Sequence, residues 1–231
     1  MIQLQKLTDN AYGYRDDRYP VRWLDAFGSV QKALIDQTWR AGDWTVTATG
    51  TSPITASVVA DAVALITTPA TDFAGDEIQF AGTQFKLETG KPCYFGARVA
   101  ISDATQSDFL VGLCGIDTTL TAASATHAIA VGASGVFFSK IDAVTAGYFK
   151  TYSTATETNS AAAFTMDTDP HTYEFFWDGA GAVSAYVDNV QVAAFSSVPS
   201  AVLTPSLAFR AGEAAAKTCT VHWIRAIQAR A

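Results

Sequence analysis

Hydrolysis of a glycosidic bond needs two carboxyl groups at a fixed separation, about 5 Å when one acts as acid and the other as nucleophile. Acidic residues come close together at Asp76-Glu77 and at Asp167-Thr168-Asp169, while Glu174 stands alone in an alternating stretch. The two clusters read as turn residues. Nowhere does the chain carry the Glu-x-Asp-x-(x)-Glu spacing that would line up carboxylates along one strand face. A serine nucleophile would need a histidine base, and the chain has three histidines, His127, His171 and His222. His171 follows the turn residue Pro170, and His222 alternates with Val221 and Trp223 so as to face away from them. Neither adjoins a GxSxG-type elbow, so they read as surface or sheet-face side chains.

The other reactive groups are also sparse. Cys93, Cys114 and Cys219 lack CxxC spacing and fall inside strand patterns, which predicts three buried free thiols and folding in a reducing compartment. GAGA at 179–182 sits between two strand patterns and does not open a helix, so it is no phosphate loop. Phe137, Phe138, Tyr148, Phe149 and Tyr152 could line a sugar-stacking surface, or form one core face with a few exposed rings. No catalytic residue and no cofactor are expected.

The elements that carry these residues have the two-residue period of strands. Tyr173, Phe175 and Trp177 alternate with Thr172, Glu174 and Phe176, and turn chemistry follows at 178–181. A strand from Ala182 to Val187, an Asp-Asn type I′ turn at 188 and 189, and a strand from Val190 to Phe195 complete a meander. Upstream, strands are expected from Trp44, at 62–68, at Cys93 to Ser102 and at Asp108 to Ile116. A hairpin is expected between Glu77–Phe80 and Gln84–Leu87. His127–Val131 and Val136–Ile141 flank GASG as another, and Thr154 to Ala163 reads as an exposed edge or loop. Two closing strands run over Pro205–Arg210 and Lys217–Gln228. The spacing of Val30, Ala33, Leu34 and Gln37 after Ser29 predicts one short helix over 29–38. About fourteen strands with almost no helix predict an all-β, two-sheet antiparallel sandwich of the jelly-roll kind, with residues 31–231 as one domain.

Residues 1–30 differ in character and read as an extended N-terminal arm. They hold four of the 15 cations and four of the 22 acidic residues, so all seven net negative charges lie beyond them. Tyr12, Tyr14, Arg15, Arg18, Tyr19, Arg22 and Trp23 are of the types enriched at interface cores, and they are the candidate contact residues. An ordinary first strand and loop is the other reading of this segment. The acidic remainder argues against phosphate-backbone binding, so no nucleic acid partner is expected. No apolar run reaches the length of a membrane span, and the N-terminus lacks the pattern of a secretory signal, so neither a membrane nor a secretory route is expected.

The order HTYEFFWDG, VSAYVDNVQV, PSLAFRAG and TCTVHWIRAI resembles the C-terminal half of concanavalin A-like lectin/glucanase sandwiches, laminin-G-like domains included. GKPCYFGARVAISD and DFLVGLCGID resemble the paired central strands of these domains. An unsignalled start, an arm, Ala/Thr/Ser-rich loops and GK-x-x-YF-x-AR followed by FLVGL are also similar to tailed-bacteriophage virion proteins on this fold, capsid decoration and other head proteins among them. That resemblance implies a non-enzymatic structural protein made in the host cytoplasm and attached to the capsid exterior as a decoration or cement protein. Its implied partners are the major capsid protein and further copies of itself, as a homotrimer. A carbohydrate-binding module of a head or tail fibre, with a glycan as partner, is the alternative. Lectin-type sandwiches often hold calcium through loop carboxylates, but Asp103, Asp108 and Asp117 read here as solvated turn residues.

Overall fold

A computed structural model describes residues 30–35, 44–49, 54–56, 64–81, 85–121, 134–154 and 156–229. These residues form sixteen strands and no helix. The chain runs β1 (Val30–Ile35), β2 (Trp44–Thr49), β3 (Ile54–Ala56), β4 (Ala64–Thr67), β5 (Gly75–Phe80), β6 (Phe85–Lys86), β7 (Cys93–Ile101) and β8 (Ser107–Cys114). It continues through β9 (Gly135–Lys140), β10 (Ala146–Ser153), β11 (Thr156–Thr165), β12 (His171–Trp177), β13 (Val183–Val187), β14 (Val190–Phe195), β15 (Val202–Ala211) and β16 (Thr218–Ala229). The first sheet has the order β14-β13-β12-β7-β16-β4-β3, with β1 beside β16. The second has the order β11-β10-β9-β8-β15-β5-β2, with β6 beside β15. The described pairings are antiparallel, so the jelly-roll sandwich expected from the strand spacing is the fold.

Alternation along the strands sorts the apolar side chains into three layers. Phe95, Ala97 and Val99 of β7, Tyr173 and Phe175 of β12, and Phe109, Val111 and Leu113 of β8 point between the sheets. There Tyr173 meets Phe109 and Phe138, each at 5.4 Å between centroids, and Phe175 stacks on Phe95 at 5.2 Å. The meander β12-β13-β14 is closed by Asp178, whose Oδ1 accepts from the amides of Ala180, Gly181 and Ala182. Its second turn has Asp188 at φ 49° and Asn189 at φ 67°, the type I′ geometry that Asp-Asn tolerates. A second apolar layer, Leu110, Cys114, Phe137 and Ala208, lies on the outer face of the second sheet. A third, Tyr94 and Ala229 with Phe176, Tyr186 and Ile227 against them, lies on the outer face of the first.

The structure corrects several sequence expectations. Residues 30–35 are a strand, not part of a helix over 29–38, and they pair with β16 from Val30↔Ala229 to Ile35↔Ile224. Six residues of ladder hydrogen bonding on an open strand override a weak helical spacing. Glu77–Phe80 and Phe85–Lys86 do not pair as a hairpin, because both lie along β15, which is long enough to serve each in turn. Cys93–Ile101 and Ser107–Cys114 belong to opposite sheets and so are not partners of each other. Thr156–Thr165 is an exposed edge strand, as its composition indicated. The strand expected over 127–131 lies outside the described residues, as does the arm expected over residues 1–30 except for Val30, which opens β1.

Candidate functional site: the outer face of the second sheet

Asp76 and Glu77 are not in a turn. Both sit in β5 and both are buried. Glu77 and Gln79, two residues apart, project on the same outward side, and each grips the segment 115–121 that follows β8. Glu77 Oε2 accepts from the Leu120 amide at 2.9 Å, and its Oε1 accepts from the Thr121 amide at 3.0 Å and from Arg210 Nη2 at 2.9 Å. Gln79 donates to the Gly115 carbonyl and to Ser206 Oγ, both at 2.9 Å, and accepts from the Asp117 amide at 2.9 Å. Leu120 is thereby driven into the apolar layer of Leu110, Cys114, Phe137 and Ala208, where it is fully buried. The segment 115–121 acts as a strap that closes this part of the face.

This arrangement decides what the carboxylates can do. In register across the sheet, Arg210 on β15 stands directly opposite Asp108 on β8, while its guanidinium pairs with Glu77 from β5. Asp108 Oδ1 in turn accepts from the Asp142 amide at 2.7 Å. An acid and a nucleophile for glycoside hydrolysis must face a substrate, but Glu77 and Asp108 are committed to internal donors with a cation between them. Sequence reading missed this pair because Arg210 and Glu77 lie 133 residues apart. The available signal was local, an acid-rich GDEIQF whose Ile78 and Phe80 keep strand alternation.

Of the three aspartates weighed for calcium, Asp108 is not a solvated turn residue but lies buried within β8, and the other two sit in turns. Asp103 accepts from the amides of Thr105 and Gln106 and from Lys217 Nζ at 2.6 Å. Partial burial works against its ionisation, but the Lys217 ammonium and the two amides outweigh it and hold the carboxyl down at about 2. Asp117 caps its own turn through Thr119. Among the described residues no group of three or more His, Cys, Asp or Glu is placed to hold a metal ion. Besides Arg210, two lysines serve this end of the sandwich. Lys140 Nζ donates to the carbonyls of Thr105 and Ser107, at 2.9 and 2.5 Å, and burial lowers its pKa to about 8 against the pull of nearby Asp108, Asp142 and Asp103.

The remaining candidates separate cleanly. Phe137, Phe138 and Phe149 are fully buried and Tyr152 is half-buried against Phe137, which leaves Tyr148 as the exposed ring of the five at 37%, with Lys150 Nζ 5.5 Å from its centroid. Cys93, Cys114 and Cys219 are free and buried, and burial raises all three thiols well above their usual range. His222 is buried rather than a surface side chain, and the register shifts between its neighbours Val221 and Trp223. His171 is clamped between two carboxylates, with Nδ1 2.6 Å from Asp188 and Nε2 2.8 Å from Asp167. His127 and the candidate contact residues Tyr12, Tyr14, Arg15, Arg18, Tyr19, Arg22 and Trp23 lie outside the described residues. Among the described residues no helix is long and apolar enough to cross a membrane.

The fold defines a concanavalin A-like lectin/glucanase sandwich, and solved structures of that class are similar to it. An endo-1,3-β-glucanase from Streptomyces sioyaensis matches with a TM-score of 0.60 at 12% identity, over 88% of this chain and 98% of the glucanase. A β-1,3-1,4-glucanase (lichenase) derived from a mouse hindgut metagenome matches at 0.57 and 11%, over 85% and 98%. The seed lectin of Lotus tetragonolobus matches at 0.54 and 7%, over 86% and 98%. Identities this low establish the shared fold and nothing finer, since one fold hosts both hydrolases and lectins. No protein-family model matches the chain, and no curated protein matches it in sequence.

Proposed function

We propose that this chain is a non-enzymatic structural protein of a tailed-bacteriophage virion, binding the outer capsid surface as a decoration or cement protein. The observation that carries the non-enzymatic part is the strapped face: Glu77 is held by Arg210 and by the amides of Leu120 and Thr121. With this carboxylate committed to internal donors, this part of the face offers a protein surface rather than a general acid. The virion assignment rests on the resemblance of the GK-x-x-YF-x-AR and FLVGL strands. A net charge of −7, all of it beyond residue 30, is compatible with an exterior position away from packaged DNA. Arm residues Tyr12, Tyr14, Arg15, Arg18, Tyr19, Arg22 and Trp23 then contact the major capsid protein or a neighbouring copy in a homotrimer, and bound subunits raise the cost of opening the shell. Sedimentation with capsids lacking the protein tests this. Saturable co-sedimentation of the full chain, lost in a chain starting at Ser29, supports the reading, and no binding by either form overturns it.

Glycan binding is the second reading, favoured by the lectin among the similar structures and by the exposed Tyr148 beside Lys150. Saturable binding on a glycan array that falls at least tenfold in Tyr148→Ala would place it first.

A further inference from the structure

Three turns meet at one end of the sandwich: 102–106 between β7 and β8, 141–145 between β9 and β10, and 212–217 between β15 and β16. Backbone hydrogen bonds join them, from the Ala143 amide to the Thr105 carbonyl and from the Gly212 amide to the Gln106 carbonyl, each at 3.0 Å. Gly212 packs so closely that an added Cβ would fall 1.9 Å from Asp142 Oδ1. The cluster is rich in oxygen, since Asp103, Asp142 and Glu213 lie in the turns, Asp108 lies just inside β8, and the carbonyls of Thr105 and Ser107 converge on one point. Carboxylates and carbonyls of this kind are the surroundings of a hard cation such as calcium.

The point of convergence is taken by an amine of the chain itself. Lys140, 1% exposed at the end of β9, donates from Nζ to the Thr105 carbonyl at 2.9 Å and the Ser107 carbonyl at 2.5 Å, with Ser107 Oγ at 3.5 Å. Asp103 is committed as well, with Oδ1 on the amides of Thr105 and Gln106 and Oδ2 on Lys217 Nζ, which also donates to Glu213. Calcium needs about six to eight oxygens free to converge on it, and these residues do not fit one, because the two carbonyls already hold a nitrogen and Asp103 faces amides and a lysine. We infer that the Lys140 ammonium is the resident cation of this cluster, fastening the turn 102–106 to β9 and offsetting the carboxylates around it, so that this end of the sandwich is held without calcium. A buried ammonium persists only where oxygens and negative charge compensate its lost hydration. Burial lowers its pKa to about 8 while Asp108, Asp142 and Asp103 resist that shift, which leaves the group charged at neutral pH. A ligand bound at this end is therefore bound without a bridging calcium ion, whether the chain's partner is a capsid or a glycan.

Backbone hydrogen exchange of the full chain, read by NMR at the amides of Gln106, Asp142, Ala143 and Gly212 well below pH 8, tests the inference. The Gly90 amide, bonded to the Gly179 carbonyl at the opposite end of β7, is the reference. In the native chain the four amides are expected to exchange at the same rate in excess EDTA and in excess CaCl2. Lys140→Ala is expected to speed them at least tenfold with Gly90 unchanged, and CaCl2 or KCl, entering among the vacated oxygens, is expected to slow them again at least threefold. Tetramethylammonium chloride at equal ionic strength, too large to enter, should not. Should Lys140→Ala fail to fold, Lys140→Gln, which keeps the length and an N–H donor but not the charge, is expected to give the same acceleration. Slower exchange of the native chain on adding CaCl2 would overturn the inference, because these turns would then hold a metal. Native rates in the variant would also overturn it, as would an acceleration in Lys140→Ala that neither calcium nor potassium reverses, since Lys140 would then be a hydrogen-bond donor and not a cation. Capsid co-sedimentation and glycan binding are separate measurements, so failure of either reading is not failure of this one.

Discussion

Arg210 Nη2 lies 2.9 Å from Glu77 Oε1, and the two side chains are only 4% and 2% exposed. Removing one member of a buried ion pair leaves the other uncompensated and costs about 3–5 kcal/mol. Glu77→Gln is therefore expected to lower unfolding stability by that amount in urea. It also takes away one of the two carboxylate oxygens that hold Leu120 and Thr121, so the strap should become sensitive to limited proteolysis before the sandwich unfolds. Replacing both partners, as Glu77→Gln with Arg210→Met, should recover part of the loss. Equal stability of wild type and Glu77→Gln would show that the pair does not hold the strap.

Gly112 packs β8 against β9 with no room for a side chain. A Cβ there would lie 2.4 Å from the Val136 carbonyl oxygen and 2.5 Å from Phe137 Cα, both backbone atoms that cannot rotate away. Gly112→Ala is expected to cost on the order of 3 kcal/mol by forcing the strands apart. Gly90, at φ 82° with nothing within 4 Å, is the contrasting case: its alanine variant meets only backbone strain, about 1 kcal/mol. Thermal melts of the two variants should rank in that order.

Much of this fold was legible because strand alternation and turn chemistry are local. The Tyr173/Phe175/Trp177 face, the Asp-Asn turn and the exposed Thr/Ser/Ala edge follow from residues within a few positions of one another. What was not legible depends on partners far along the chain. Val30 to Ile35 become a strand because β16 offers them an edge, and Phe85–Lys86 joins β15 rather than its neighbour in sequence. The same limit hid the strapped face, since an Arg-Glu pair across 133 residues leaves no spacing to read. Around His222 simple alternation could not be followed at all, since a bulge between Val221 and Trp223 shifts the register there.

The three cysteines provide a measure of core integrity. Each thiol is completely buried and its ionisation is suppressed by desolvation, while reaction with a disulfide reagent needs an exposed thiolate. Native protein should show no reactive thiol at pH 8 over hours, and all three should react within seconds in denaturant. Reaction of native Cys93 or Cys219 at the rate of a free cysteine would mean that the inter-sheet core opens locally, and reaction of Cys114 that the layer under the strap does.

His171 couples two turns, the one before β12 and the one between β13 and β14. Partial burial of the imidazole opposes protonation, but hydrogen bonds to Asp188 and then Asp167 outweigh it and raise its pKa above the usual 6.5. Between 6.5 and the raised value the folded chain binds more protons than the unfolded one, so stability falls as pH rises through that window. The stabilisation is complete below about pH 6.5 and is lost once the folded imidazole deprotonates. The group is partly solvated, so the effect is modest, a decrease of about 1–3 °C in Tm between pH 6 and pH 8.5. His171→Gln should flatten that slope while lowering the Tm at pH 6 toward the value at pH 8.5. A Tm that rises over the same interval, or a slope unchanged in the variant, would exclude His171 as the titrating group.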